Sequence, residues 1–304
     1  MRSRTDYKAS LALLGMVLAS STVPLFLKYF TGYLDGWTVN GMRYPVAALI
    51  YLPWLIHQRR AGNLSAKLWK LAILPSLFNV IGQTFFAWTL YFIDTNLMSF
   101  LVRLSTLWSV VGSFILFYDE RRLVRSTKFW IGFIIMILGF LMIILGGRYT
   151  FGKTTIIGII LVFFCGITWA GYQLTVQRNL GRTDSRTAFG IVSFLTSLGL
   201  IGMMFTLGKP GEILLVPLPI IGVIILSGFI GIALAHLLLY FSMKRLGVAI
   251  CSSISLSGAF ITAFFSWIFF SEKLTPLQWA SGGLIVLGGI LLIQSQRVLS
   301  VVEN

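Results

Sequence analysis

The sequence predicts an all-α integral membrane protein: ten transmembrane helices arranged as two inverted five-helix repeats. Three observations predict it. Hydrophobic residues make up 57% of the 304 residues and charged ones only 11%, where a soluble domain carries roughly 25% charged. The mean hydropathy is +0.89, and no water-soluble fold of this size hides that much apolar surface, so lipid is part of the solvent. The apolar residues also fall into runs close to the ~20 residues a spanning helix needs. Finally, landmarks of the first half return in the second.

In chain order the apolar runs are residues 9–29, 37–57, 69–92, 95–117, 128–146, 155–177, 187–207, 218–242, 247–270 and 275–294. The connections are short, and none is long enough for a soluble domain. The first run follows Arg2, Arg4 and Lys8, as a signal peptide would. It is read as an uncleaved helix because the alternation of sides needs it. With the N-terminus in the cytoplasm, the outer side receives only Lys28, Arg148, Lys153, Lys209 and Lys273. The other flanking basic residues, from Lys8 and Arg59-Arg60 to Arg245 and Arg297, fall on the cytoplasmic side, as the positive-inside rule requires. Both termini are then cytoplasmic, in the cytoplasmic membrane. The net charge of +15 would point to nucleic acid in a soluble protein; here the basic residues flank apolar runs, and no nucleic-acid partner is expected. Cys165 and Cys251 sit inside apolar runs and read as small buried hydrophobes.

Self-similarity at a fixed period of about 150 residues implies an internal duplication. Tyr91-Phe92 returns as Tyr240-Phe241, Glu120 as Glu272, and Trp130 with Leu138-Gly139 as Trp279 with Leu287-Gly288. The two units are residues 10–145 and 155–294. Five helices per unit is odd, so the second unit is threaded upside down. Inverted repeats are typical of secondary transporters, with the solute site between the repeats near mid-membrane.

Ten helices, an inverted five-plus-five repeat, the Arg43-Tyr44 pair in the second helix and apolar runs ending in Glu120 and Glu272 together resemble the EamA-type drug/metabolite transporters. The resemblance covers nearly the whole chain. It implies secondary transport of a metabolite, often export, through a central cavity shared by both halves. One departure is plain: the family commonly carries a proline upstream of each Glu, and Ser105-Thr106-Leu107-Trp108 and Ser257-Gly258-Ala259-Phe260 contain none. A helix break at those depths has to come from Ser/Thr or Gly.

Arg43 and Arg103 are the two arginines left inside the membrane, about 9 and 12 Å in from the outer ends at 1.5 Å per residue. An arginine at a bilayer centre costs about 2.5–3.5 kcal/mol on insertion scales and usually faces a wet cavity. A guanidinium pair at one level suits a carboxylate or phosphate. Arg43 equally suits snorkelling to the interface. Arg103 shares a polar helix face with Ser99, Thr106 and Ser113. Further polar positions recur at helical spacing: Asn79 and Gln83; Tyr172 with Trp169 beside it; His236 and Tyr240; Ser253 and Ser257. Each suits cavity lining or interhelical hydrogen bonding. No Asp or Glu lies inside a predicted span, which disfavours proton-coupled export of cations. Glu120 and Glu272 are expected to pair with Arg121, Arg122 or Lys273 at the interface. Gly132, Gly139 and Gly146, and Gly282 and Gly289, repeat every seventh residue, which seats the fifth and tenth helices at the bundle's periphery or against a second copy in a homodimer.

The expected function is therefore a carrier of a small anionic or zwitterionic metabolite, an amino acid being the first choice, working by alternating access. The alternative is a passive channel or a non-transporting membrane scaffold. An enzyme is not expected, since no nucleophile–base pair, H-E-x-x-H or G-x-S-x-G motif occurs. No cofactor or metal is expected.

Overall fold

The computed structural model describes residues 7–116, 126–145, 153–246, 251 and 254–302. Helices fall on every one of the ten stretches, and no strand occurs among the described residues. They are α1 (Tyr7–Phe30), α2 (Gly36–Arg60), α3 (Ala66–Thr89), α4 (Thr95–Leu101), α5 (Leu104–Leu116), α6 (Thr127–Leu145), α7 (Lys153–Leu180), α8 (Ser185–Leu207), α9 (Leu218–Gly228), α10 (Ala235–Leu246), α11 (Gly258–Phe270) and α12 (Pro276–Val302). A π-helical turn, Phe229–Leu234, joins α9 to α10 without a loop. Among the described residues five stretches are long and apolar enough to cross a membrane unaided: Tyr7–Phe30, Ala66–Thr89, Thr155–Leu180, Ser185–Leu207 and Leu218–Arg245. Leucine, isoleucine and phenylalanine side chains stand exposed along the outside, Leu11, Leu49, Ile73, Leu198, Phe205 and Phe269 among them. Water would not tolerate that surface, and lipid matches it. The protein is an integral membrane protein.

The chain starts corresponding helices of the two halves in the same way. Asp35 accepts from the Trp37 and Thr38 amides at 2.9 and 3.0 Å and from the Thr38 hydroxyl. Asp184 accepts from the Arg186 and Thr187 amides at 3.1 and 3.2 Å and from the Thr187 hydroxyl. A short acceptor before a helix satisfies its orphan amides. This D-x-x-T cap marks the duplication by position.

Packing runs between the halves. The closest helix pairs are α6 with α12, α2 with α8, and α3 with α7, the last matched by α1 with α10. α5 lies on α7 as α11 lies on α1, and α4 crosses α11. Exchange of the two halves leaves this pairing scheme unchanged, which is a pseudo-twofold relation. Corresponding helices run antiparallel. A Cβ on Gly132 would lie 2.9 Å from the Gly288 carbonyl oxygen, and one on Gly139 would lie 2.8 Å from that of Ser281. In the same sense, the Trp54 indole donates to Thr187 Oγ1 at 3.1 Å while Gly41 lies against Met204. A duplication without inversion would have made these pairs parallel.

The glycine stripes pack inside the chain: Gly132 and Gly139 of α6 lie on α12 at Gly288 and Ser281, whereas Gly282 and Gly289 of α12 lie on Phe100 and Leu256; Gly146 lies outside the described residues. Three sequence expectations change. The fourth stretch is not one helix. It breaks at Val102–Arg103, where the Arg103, Ser105 and Thr106 amides reach back three residues instead of four. The Ser257, Ala259 and Phe260 amides make the matching tight turn ahead of α11. Tyr91 does not correspond in place to Tyr240: it lies past the end of α3, where its hydroxyl donates to the Leu34 carbonyl, and Tyr240 lies within α10. The Glu272 carboxylate receives the Ser266 hydroxyl and the Asn96 amide at the start of α4, rather than Lys273. Glu120 and Ser253 lie outside the described residues.

Candidate functional site: the central cavity

Seven residues per two turns bring the same helix face back to the bundle axis, and at that axis the halves leave a cavity of about 280 Å³. α1 contributes Met16, Ser20, Val23 and Pro24, and α3 contributes Asn79, Gln83 and Phe86. The broken fourth stretch contributes Ser99, Arg103, Thr106 and Ser109. α7 supplies Trp169, Tyr172, Gln173 and Gln177; the π-turn and α10 supply Gly231, Ile232 and His236; Ser255 and Thr262 complete the wall. Hydroxyl and amide groups are thus interleaved with Met, Leu and aromatic surface, which is the usual make-up of a small-molecule site.

At one end the cavity is closed. Phe30, Leu34, Leu90, Ile93, Leu97 and Phe100 are packed together and buried, with the Glu272 bonds to Ser266 and Asn96 and the Tyr91 bond to Leu34 lying across the same end. Towards the opposite end the wall continues through Leu239 and Met243 to Gln177, which is exposed.

Of the residues singled out from sequence, Arg103, Asn79, Gln83, Trp169, Tyr172 and His236 line the cavity. Asn79 donates to Thr196 Oγ1 at 3.2 Å and accepts from Tyr44 at 3.4 Å, which holds its amide orientation. Trp169 is pressed inward from behind: a Cβ on Gly82 would lie 2.5 Å from its indole. Its ring packs against Phe86 at a tilt of 37°, centroids 4.6 Å apart. His236 Nδ1 lies 3.1 Å from the Ile232 carbonyl oxygen. A carbonyl only accepts, so in the neutral ring Nδ1 carries the proton and Nε2 is left as an acceptor. The π-turn has displaced the carbonyl pattern of the helix here, and such turns are frequent at functional sites.

Three singled-out residues are not in the wall. Tyr240 stands behind Tyr172, hydroxyl to hydroxyl at 2.9 Å. Ser257 is exposed and donates to the Ile254 carbonyl, so it faces away; the residue on the cavity side of that tight turn is Ser255. Arg43 is fully buried, does not snorkel, and donates through Nε to Ser227 Oγ at 2.9 Å. Its Nη2 lies 3.4 Å from where a Cβ on Gly231 would be. Residues that the sequence did not single out and that the fold brings in are Ser20, Ser109, Gln177, Ser255 and Thr262. Ser20 has no polar residue three or four positions away on its helix, so only the assembled bundle reveals it, whereas Gln177 repeats Gln173 four residues on.

Antiparallel halves, a lipid-matched outside and a central cavity with polar groups at the internal twofold are the features of a membrane transporter. The sequence profile of the EamA-like transporter family matches residues 7–145 and 156–294. The chain belongs to the EamA-like transporter family, with one copy of the family unit in each half. It is 20% identical over 197 residues to an uncharacterized transporter of Haemophilus influenzae, a match spanning 62% of this chain and 62% of that protein. A solved crystal structure superposes with a TM-score of 0.63 at 14% identity, over 95% of this chain and 98% of the other. At that identity the likeness speaks for the fold alone.

Proposed function

We propose that this chain is a secondary carrier that moves a small organic metabolite, anionic or zwitterionic, across the cytoplasmic membrane by alternating access. In this reading it crosses the bilayer ten times, with both termini cytoplasmic, and the solute binds among Arg103, Asn79, Gln83, Trp169, Tyr172 and His236. The single observation that carries the proposal is the cavity at the internal twofold, with hydroxyl, amide and guanidinium groups set in a mainly apolar wall, sealed by apolar packing at one end and reaching Gln177 towards the other. Two halves related by an inverted twofold can exchange conformations, and the exchange moves the seal from one membrane face to the other. The apolar seal also favours a carrier over a passive channel, since a conducting pore has to be wet along its whole length.

Saturable counterflow in proteoliposomes tests it. Vesicles preloaded with unlabelled solute should draw in labelled solute transiently against its gradient. Linear, non-saturable entry without counterflow would replace the carrier with a pore.

A further inference from the structure

The charges around the cavity narrow the solute. Arg43 is completely buried, and neither Nη1 nor Nη2 has a hydrogen-bond partner. Its one bond, from Nε to Ser227, ends in a neutral chain, since the Ser227 hydroxyl donates onward to the Ile224 carbonyl at 2.7 Å. The guanidinium adjoins the cavity at a glycine: Gly231 lines the wall, and a Cβ there would stand 3.4 Å from Arg43 Nη2. Arg103 lines the wall directly, at the break between α4 and α5. Its Nε is buried without a partner, and its Nη2 lies 3.2 Å from where a Cβ on Gly258 would be, beside the tight turn ahead of α11. The Trp108 indole N–H and the Ser109 hydroxyl are buried and unpartnered as well.

Nothing on the wall balances these donors. No Asp or Glu is among the described residues lining the cavity, and Glu272 is engaged with Ser266 and Asn96. Arg103 faces the cavity and Arg43 lies buried behind Gly231, both without a counterion among the described residues, and a buried charge without a partner is costly. A zwitterion brings no net charge, leaves both guanidiniums uncompensated and sets its ammonium group among them. A solute with two negative charges compensates both, and each guanidinium fork fits a carboxylate or phosphate. The volume of about 280 Å³ lies at the small end of ligand sites, which run from about 300 to 1,000 Å³.

We propose that the transported solute is a small dianion, a dicarboxylate or a phosphate monoester of a few carbons, with one charged end on Arg103 and the other reaching Arg43 across Gly231. The proposal rests on the carrier reading and sharpens it.

The test uses the full-length protein in detergent and in proteoliposomes. Succinate, glycerol 3-phosphate, alanine and leucine serve as probes. Succinate or glycerol 3-phosphate should raise the melting temperature and support counterflow, and the comparison between them separates the dicarboxylate from the phosphate. Alanine and leucine should do neither. Arg43→Gln and Arg103→Gln should each weaken dianion binding ~10–100-fold, the value of one charge-assisted contact. Ligand-free Arg43→Gln should melt higher than the parent protein, because it removes a cation that lacks a counterion. An Arg43 that merely holds helices together would give the opposite shift.

Stabilisation and counterflow by alanine or leucine, with no response to either dianion, overturn the dianion and leave the carrier standing. Stabilisation by a dianion without any counterflow leaves the anion site standing and removes the carrier. No response to either dianion, or Arg43→Gln with unchanged dianion affinity and a lower melting temperature, overturns the assignment.

Discussion

Arg103 occupies a place no single helix face would have provided. It stands at the step between α4 and α5, so its side chain reaches the turn ahead of α11 while Thr106 and Ser109 below it still meet the cavity. Arg103→Ala should abolish uptake into proteoliposomes while the folded yield stays at the parent level; transport at the parent rate would remove Arg103 from the site. Gly82 works indirectly. Any side chain at 82 displaces the Trp169 indole, because the required Cβ would sit 2.5 Å from it. Gly82→Ala should therefore raise the KM for uptake more than it lowers the maximal rate, read from concentration dependence in the same vesicles. Both arginines and Trp169 were legible in the sequence, because a charge or a bulky aromatic inside an apolar run stands out. Ser109, Ser255 and Thr262 were not, because an isolated hydroxyl in a helix is commonplace and usually satisfied by its own backbone.

The pairing of α6 with α12 rests on glycines that allow two backbones to touch. A Cβ on Gly288 would lie 2.6 Å from the Met136 amide nitrogen, whereas nothing lies within 4 Å of one on Gly283 in the same helix. Gly139→Leu and Gly288→Leu should therefore lose most of the folded yield by size-exclusion profile, the cost being overpacking of about 1–3 kcal/mol or more. Gly283→Ala should be neutral or stabilising by up to about 1 kcal/mol, since alanine is the better helix former. Equal tolerance at 283 and 288 would mean that these helices do not meet. The caps belong to the same level: Asp184→Ala removes the acceptor of two amides at the start of α8 and should cost about 1 kcal/mol, seen as a lower melting temperature. Stripe spacing showed that α6 and α12 pack closely. It contained nothing about their partner, because a seven-residue glycine repeat describes one surface and a contact needs two.

Across the molecule, inversion is the property with the clearest topological consequence. Asn63 follows α2 and Lys209 follows α8, the corresponding places in the two halves. The Lys209 amide donates to Asp35 and Thr38 at the start of α2, the end opposite to Asn63. Cysteines placed at 63 and 209 should react with a membrane-impermeant thiol reagent from opposite sides, 63 from the cytoplasm and 209 from outside. Cys165 and Cys251 are buried and contribute little background. Labelling of both from one side would abolish the inverted arrangement and the exchange of conformations built on it.

Amino-acid order alone sets the solvent, the helical class and the duplication, because each depends on local quantities: the length of an apolar run, the charge beside it and the recurrence of landmarks along the chain. The assembled bundle decides the rest. It sets where the fourth stretch breaks, seats Arg43 behind Gly231 with two donors unused, turns Ser257 out and Ser255 in, and joins Gly132 of α6 to Gly288 of α12. Each of these is a relation between surfaces separated by a large part of the chain, and such a relation exists only once the two halves have folded against each other.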